Sequence, residues 1–96
     1  MTTSVSNVKT EHASRYLQQL CKHWSHRFSV EFDAAAGKVP FSPENVLDLA
    51  AERGNLVMTL TVGKLEDLER MQNVVADHLK RFAFREELDV SWAARV

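Results

Sequence analysis

A lone cysteine, Cys21, is the first shortage in this chain of 96 residues. One thiol cannot close an internal bridge, so a small secreted disulfide scaffold is excluded and a reducing, intracellular setting is expected. An excess of charge of either sign is missing too. Twelve basic side chains stand against thirteen acidic ones, interspersed along the chain, for a formal net charge of −1. Such a balance gives no general attraction to phosphate backbones or anionic lipid, and no nucleic-acid partner is expected. Long apolar runs are also absent. The longest mostly apolar stretch, Leu56 to Val62, is about a third of a membrane-spanning helix. The opening Met1-Thr2-Thr3-Ser4-Val5-Ser6-Asn7 lacks both the basic start and the apolar core of a secretory signal. The expectation is a cytoplasmic protein with no membrane partner. Internal repeats and low-complexity segments are likewise missing.

What remains is an ordinary globular composition, 45% hydrophobic and 26% charged, in a length that suits one core. Residues 1–9 read as a flexible tail or a short edge strand, and residues 10–96 as a single α+β domain. After Thr10, a suitable N-cap, Ala13, Tyr16, Leu17, Leu20, Cys21 and Trp24 recur at helical spacing, which predicts an amphipathic helix from about Glu11 to Ser25. The period then becomes two at Phe28, Val30 and Phe32. Asp33 to Gly37 reads as a turn ending in a residue that tolerates positive φ, and Val39 and Phe41 flank Pro40 in a short strand. Val46 to Ala51 and Leu56 to Val62 are further strands, joined by a turn at Glu52-Arg53-Gly54-Asn55. Leu65, Leu68, Val75, Leu79 and Phe82 predict a second helix over Lys64 to Arg81, and Leu88, Val90 and Trp92 a closing strand. The expected fold is a two-layer sandwich in the order α-β-β-β-β-α-β: an antiparallel sheet of about five strands with both helices on one face.

Chemistry is sparse. Cys21, His23 and His26 have the spacing of a metal-ligand run, but at about 100° per residue Cys21 and His23 project on nearly opposite flanks of a helix and cannot grip one ion. Cys21 lies at the margin of the apolar stripe, where a thiol acts as a small hydrophobe. His12, Gln19 and His23 share a polar flank beside Tyr16, with His26 close behind. His78 borders the second helix's stripe, and in an antiparallel helix pair it would approach His12 more readily than His23. His23, His26 and His78 form a ligand set for iron or zinc only if the helices cross or meet end-on. No glycine-rich phosphate loop, nucleophile elbow or paired carboxylates in an apolar setting are present, so an enzyme is the least supported class. The cations Lys80, Arg81 and Arg85, interleaved with Phe82 and Phe84, read more simply as a basic helix terminus than as a single-strand platform.

Two segments are familiar as a pair: Ala13-Ser14-Arg15-Tyr16-Leu17-Gln18-Gln19-Leu20-Cys21-Lys22-His23-Trp24-Ser25-His26-Arg27, and Val75-Ala76-Asp77-His78-Leu79-Lys80-Arg81-Phe82-Ala83-Phe84-Arg85-Glu86 followed by Trp92. They resemble the bacterial family called domain of unknown function 2218, over nearly the whole chain. The resemblance implies Arg15, His23, Trp24, His26, His78, Arg81 and Arg85 as candidates for a shared binding site. Some relatives are joined to siderophore-interacting flavoproteins, which implies a link to ferric iron and such a flavoprotein as partner. The expected function is therefore a non-catalytic binding or accessory domain using the histidine flank. The alternative is a structural or interaction protein acting as a homodimer with no small ligand.

Overall fold

In the computed structural model, which describes residues 1–95, the elements are β1 (Thr2–Lys9), α1 (Ala13–Trp24), β2 (Glu31–Phe32), β3 (Ala36–Pro40), β4 (Val46–Glu52), β5 (Asn55–Val62), α2 (Leu68–Phe82) and β6 (Trp92–Arg95). A 3-10 turn, Leu65–Asp67, leads into α2. All strand pairs are antiparallel, in the order β2-β3-β4-β5-β1-β6. The α+β expectation of two helices packed on an antiparallel sheet stands, with six strands and the order β-α-β-β-β-β-α-β.

The added strand is the segment expected to be a tail or an edge. It lies inside the sheet, paired with β5 from Thr2↔Val62 to Lys9↔Asn55 and with β6 on its other side. Its inward row is Ser4, Ser6 and Val8, all buried. Two of those three positions are hydroxyls, so the two-residue period is invisible to a hydrophobic count. The small side chain at Ser4 leaves room for Gln72 of α2, whose Nε2 donates to the Ser4 hydroxyl at 3.1 Å.

Every inward row carries apolar residues to the helices: Val39 on β3, Leu47 and Leu49 on β4, and Leu56, Met58, Leu60 and Val62 on β5. Tyr16, Leu17, Leu20, Cys21 and Trp24 of α1 and Met71, Val75 and Leu79 of α2 complete the core. The predicted stripe of α1 is buried throughout, whereas Leu65 of the predicted second stripe is 71% exposed because the chain there is still in the 3-10 turn. On the opposite face Lys38 and Asp48 are exposed and Val57 and Thr59 only half-buried. No described helix is long and apolar enough to cross a membrane.

Other boundaries move for local reasons. Thr10 is buried, and its hydroxyl accepts from the His12 amide at 3.1 Å, so it shapes the turn before α1 while His12 takes the N-cap position. Leu88 and Val90 pack partly against the core outside any strand, and pairing begins only at Trp92. Phe28 and Val30 also pack on the core from a loop, leaving β2 just two residues. The β4–β5 turn uses Gly54 at φ 78°, the one positive φ among described residues and a region that costs a side chain dearly. Gly37 has a different role from the expected one. Asp33 builds the β2–β3 turn instead, its Oδ1 accepting from the amides of Ala35 (2.8 Å) and Ala36 (2.9 Å), and those bonds hold its carboxyl below the usual range. Gly37 sits within β3, buried against Cys21.

Burial pushes the Cys21 thiol up to about 11, and no part of the residue is exposed. The thiolate is the nucleophile, so Cys21 should resist alkylation at neutral pH. We expect iodoacetamide to modify it only as denaturant unfolds the chain, read by mass spectrometry. Equal rates in native and denatured protein would contradict this burial.

Candidate functional site

The helices lie alongside each other in opposite directions, but their alignment is displaced. His78 meets His23 and Trp24, with ring centroids 5.2 Å away in each case, and Phe82 meets His23 at 5.9 Å. The expected approach of His78 to His12 does not occur. The chain beyond α2 takes that place: Ala83 and Glu86 continue by backbone bonds to Leu79 and Ala83, bringing Glu86 under the start of α1. The polar flank of α1 is thereby divided between two clefts.

The first cleft, of about 370 Å³, lies at the C-terminal end of α1. Trp24 is buried at its base, edge-on to Phe41 at 5.1 Å, and Phe28 is edge-on to Phe41 at 5.2 Å. Edge-to-face pairs of this kind are worth about 0.5–1.5 kcal/mol beyond area burial and hold the rings in fixed orientations. His23 and His78 form one wall, and Arg27 and Arg70 also line the cleft. The Nδ1 atom of His78 is 2.7 Å from the Val74 carbonyl oxygen. A carbonyl can only accept, so the proton is on Nδ1, and in the neutral ring Nε2 is left as an acceptor. Arg70 is paired with Asp67 at 3.3 Å, whereas Arg27 has no ion-pair partner among the described residues.

The second cleft, of about 380 Å³, lies between the start of α1 and the segment after α2. Its floor is a hydrogen-bond network. The carboxylate of Glu86 accepts from the Thr10 hydroxyl, at 3.2 and 3.3 Å to its two oxygens, and from the Tyr16 hydroxyl. Burial first, and then the hydrogen bond and charge of Glu86, push Tyr16 up to about 12, against a smaller opposing effect of Arg15. Arg15 and Arg85 stand at the rim, and His12 sits edge-on to Tyr16 at 6.1 Å.

The residues singled out from the sequence are therefore dispersed. His23, Trp24 and His78 share the first cleft, while Arg15 and Arg85 share the second. His26 is exposed beyond the end of α1, bordering a shallow hollow with Lys22 and His23. Arg81 is exposed and lines neither cleft. The expected triad of His23, His26 and His78 does not assemble. Among the described residues, no three of His, Cys, Asp and Glu are grouped to hold a metal ion. His26 lies in the turn that follows α1 and shares a hollow with His23 but no cleft with His78. Two imidazoles fall short of the four ligands of a structural zinc site, so the donor set does not fit an iron or zinc ion held by the protein alone. Sequence reasoning missed Phe41, Arg27, Arg70, Tyr16 and Glu86. Tyr16 and Glu86 are 70 residues apart, and neither carries a local signal of the other.

The family described as "Uncharacterized protein conserved in bacteria (DUF2218)" matches residues 5–93. No curated protein matches the chain. Among solved structures, the NMR structure of PA4090 from Pseudomonas aeruginosa is similar at 42% identity and a TM-score of 0.80, over 97% of this chain and 96% of that one.

Proposed function

The chain belongs to the bacterial DUF2218 family, and on that footing we propose that it is a non-catalytic binding domain whose ligand is an aromatic anion of the ferric-chelate class. The observation that carries this reading is the first cleft, where the edge-on Trp24–Phe41 pair lies beside His23 and His78, and Arg27 lines the same space with no ion-pair partner among the described residues. A chelate bearing catecholate rings has flat apolar faces and net negative charge. Aromatic walls and guanidinium groups match both properties. Iron arrives already coordinated by the chelate, so no protein ligand to the metal is required. A siderophore-interacting flavoprotein is the partner this reading implies, as donor or receiver of the chelate.

Ferric tris-catecholate added to the protein is expected to quench tryptophan fluorescence saturably. His78→Ala and Arg27→Ala should each weaken binding about tenfold, or ~1.4 kcal/mol. Trp24→Phe should remove most of the quenching, because Trp92 lies on β6 and does not line the cleft. Metal-free catechol at the same concentration provides the control. Quenching that never saturates, or that persists undiminished in Trp24→Phe, would sink the reading.

A further inference from the structure

The second cleft is lined by two guanidinium groups that form no ion pair among the described residues. Arg15 comes from the first turn of α1 and Arg85 from the segment after α2, so residues 70 positions apart in sequence line one cleft. Glu86 lines the same cleft, and its carboxylate is held by hydroxyl donors and forms no ion pair with either arginine. Its oxygens accept from Thr10 and Tyr16, both buried, and the raised Tyr16 pKa keeps that phenol protonated and donating at any physiological pH. Among the described residues neither arginine has an ion-pair partner.

The remaining walls are apolar and aromatic. Tyr16 and Phe82 form the inner side, and Phe84, 75% exposed, stands at the mouth with the Arg85 guanidinium carbon 5.4 Å from its ring centre. An exposed phenylalanine loses free energy in water, and covering it with a ligand ring recovers part of that loss. Guanidinium forks bind a carboxylate bidentately and more specifically than a point charge does. We infer that this cleft is a binding site for a carboxylate carried on an aromatic ring, the anion held between Arg15 and Arg85 and the ring laid against Phe82 and Phe84. The site is separate from the His78 cleft and does not depend on iron.

Benzoate is the probe. Added to isotopically labelled protein, it is expected to shift the Arg15 and Arg85 side-chain Nε–H resonances and the amides of Phe84 and Glu86 along one saturable curve. Arg15→Ala and Arg85→Ala should each raise the dissociation constant at least about tenfold, a loss in the range of hydrogen bonds to charged groups. Both side chains are exposed, so both variants should keep the dispersed spectrum of the folded chain. Benzamide, with the ring but no charge, should not compete, and inorganic phosphate should bind at least about tenfold more weakly because it cannot use the ring. Three results would overturn the inference: no saturable shift at the two arginines, equal binding of benzamide, or equal binding of phosphate. Shifts confined to Trp24 and His78 would place the ligand in the other cleft and overturn it as well, so the fates of the two sites are distinguishable.

Discussion

Replacing Glu86 with alanine is expected to destabilise the protein by about 2–6 kcal/mol, since two buried hydroxyl donors lose their acceptor at once and leaving each unmade costs about 1–3 kcal/mol. The donors are Thr10, 5% exposed, and Tyr16, 4% exposed, so both hydroxyls rely on the carboxylate in the folded chain. Against a total stability of roughly 5–15 kcal/mol for a domain of this size, that is a large fraction. The damage should also be local in kind. Glu86 joins the segment after α2 to the turn before α1, so amide exchange should accelerate first in those two stretches. Glu86→Gln separates charge from geometry, because its uncharged carbonyl oxygen can still accept from both hydroxyls. Urea unfolding followed by tryptophan fluorescence should rank the variants wild type, Gln, Ala in decreasing stability. An alanine variant within about 0.5 kcal/mol of wild type, the range of an ordinary surface change, would show that the network does not hold the ends together.

The same network gives a pH dependence. Tyr16 is the only tyrosine in the chain, so tyrosinate absorbance reports it alone. Its folded value of about 12 is raised above the ordinary 10. The neutral phenol is therefore favoured in the fold, and its stabilising contribution is complete below pH 10 and is lost as pH climbs from 10 towards 12. In Glu86→Gln the titration should move down, towards but not to the ordinary value, because burial, the largest cause, persists. A midpoint unchanged by the substitution would assign the shift to burial alone.

How much of this could be read from the chain beforehand depends on whether a contact is local. The α1 stripe, Ala13 to Trp24, repeats within one helix, and the same residues that recur at helical spacing are those buried. β5 is similarly transparent, because the apolar Leu56, Met58, Leu60 and Val62 recur at every second position and are the buried ones, with Thr59 and Thr61 between them. β1 is not, since hydroxyls fill two of its inward positions, and its strand nature comes from eight register pairs with a partner more than forty residues away. The candidate site residues follow the same rule. Arg15, His23, Trp24, His78 and Arg85 are recognisable as a set, but their division between two clefts depends on how far α2 slides along α1, and no residue encodes that displacement by itself. His26 illustrates the limit. Three residues after His23 it does border the same hollow, but His78 reaches His23 from the other cleft, and that depends on how α2 packs.

Gly37 shows the converse, a residue whose identity is visible but whose reason is tertiary. Alanine at a strand position with ordinary φ should help the fold by about 0.4–1 kcal/mol, because it restricts the unfolded chain. Here a Cβ would sit 2.6 Å from the Cys21 Sγ, 3.3 Å from the Phe32 Cβ and 3.5 Å from Leu17 Cδ2. The sulfur is fully buried in the interface between α1 and β3, so it cannot swing away into solvent. Overpacking of that sort costs about 1–3 kcal/mol, which outweighs the entropic gain, and Gly37→Ala is expected to be a net destabilisation. The double mutant decides the cause. Cys21→Ala alone should cost about 1 kcal/mol for the buried atom removed. With Gly37→Ala added to it, the new methyl enters the space the sulfur left, and most of the overpacking cost should disappear. The coupling energy from the four urea midpoints should then fall between about 0.5 and 3 kcal/mol, in favour of the double mutant. Simple additivity would mean that α1 approaches β3 less closely than the 2.6 Å overlap implies.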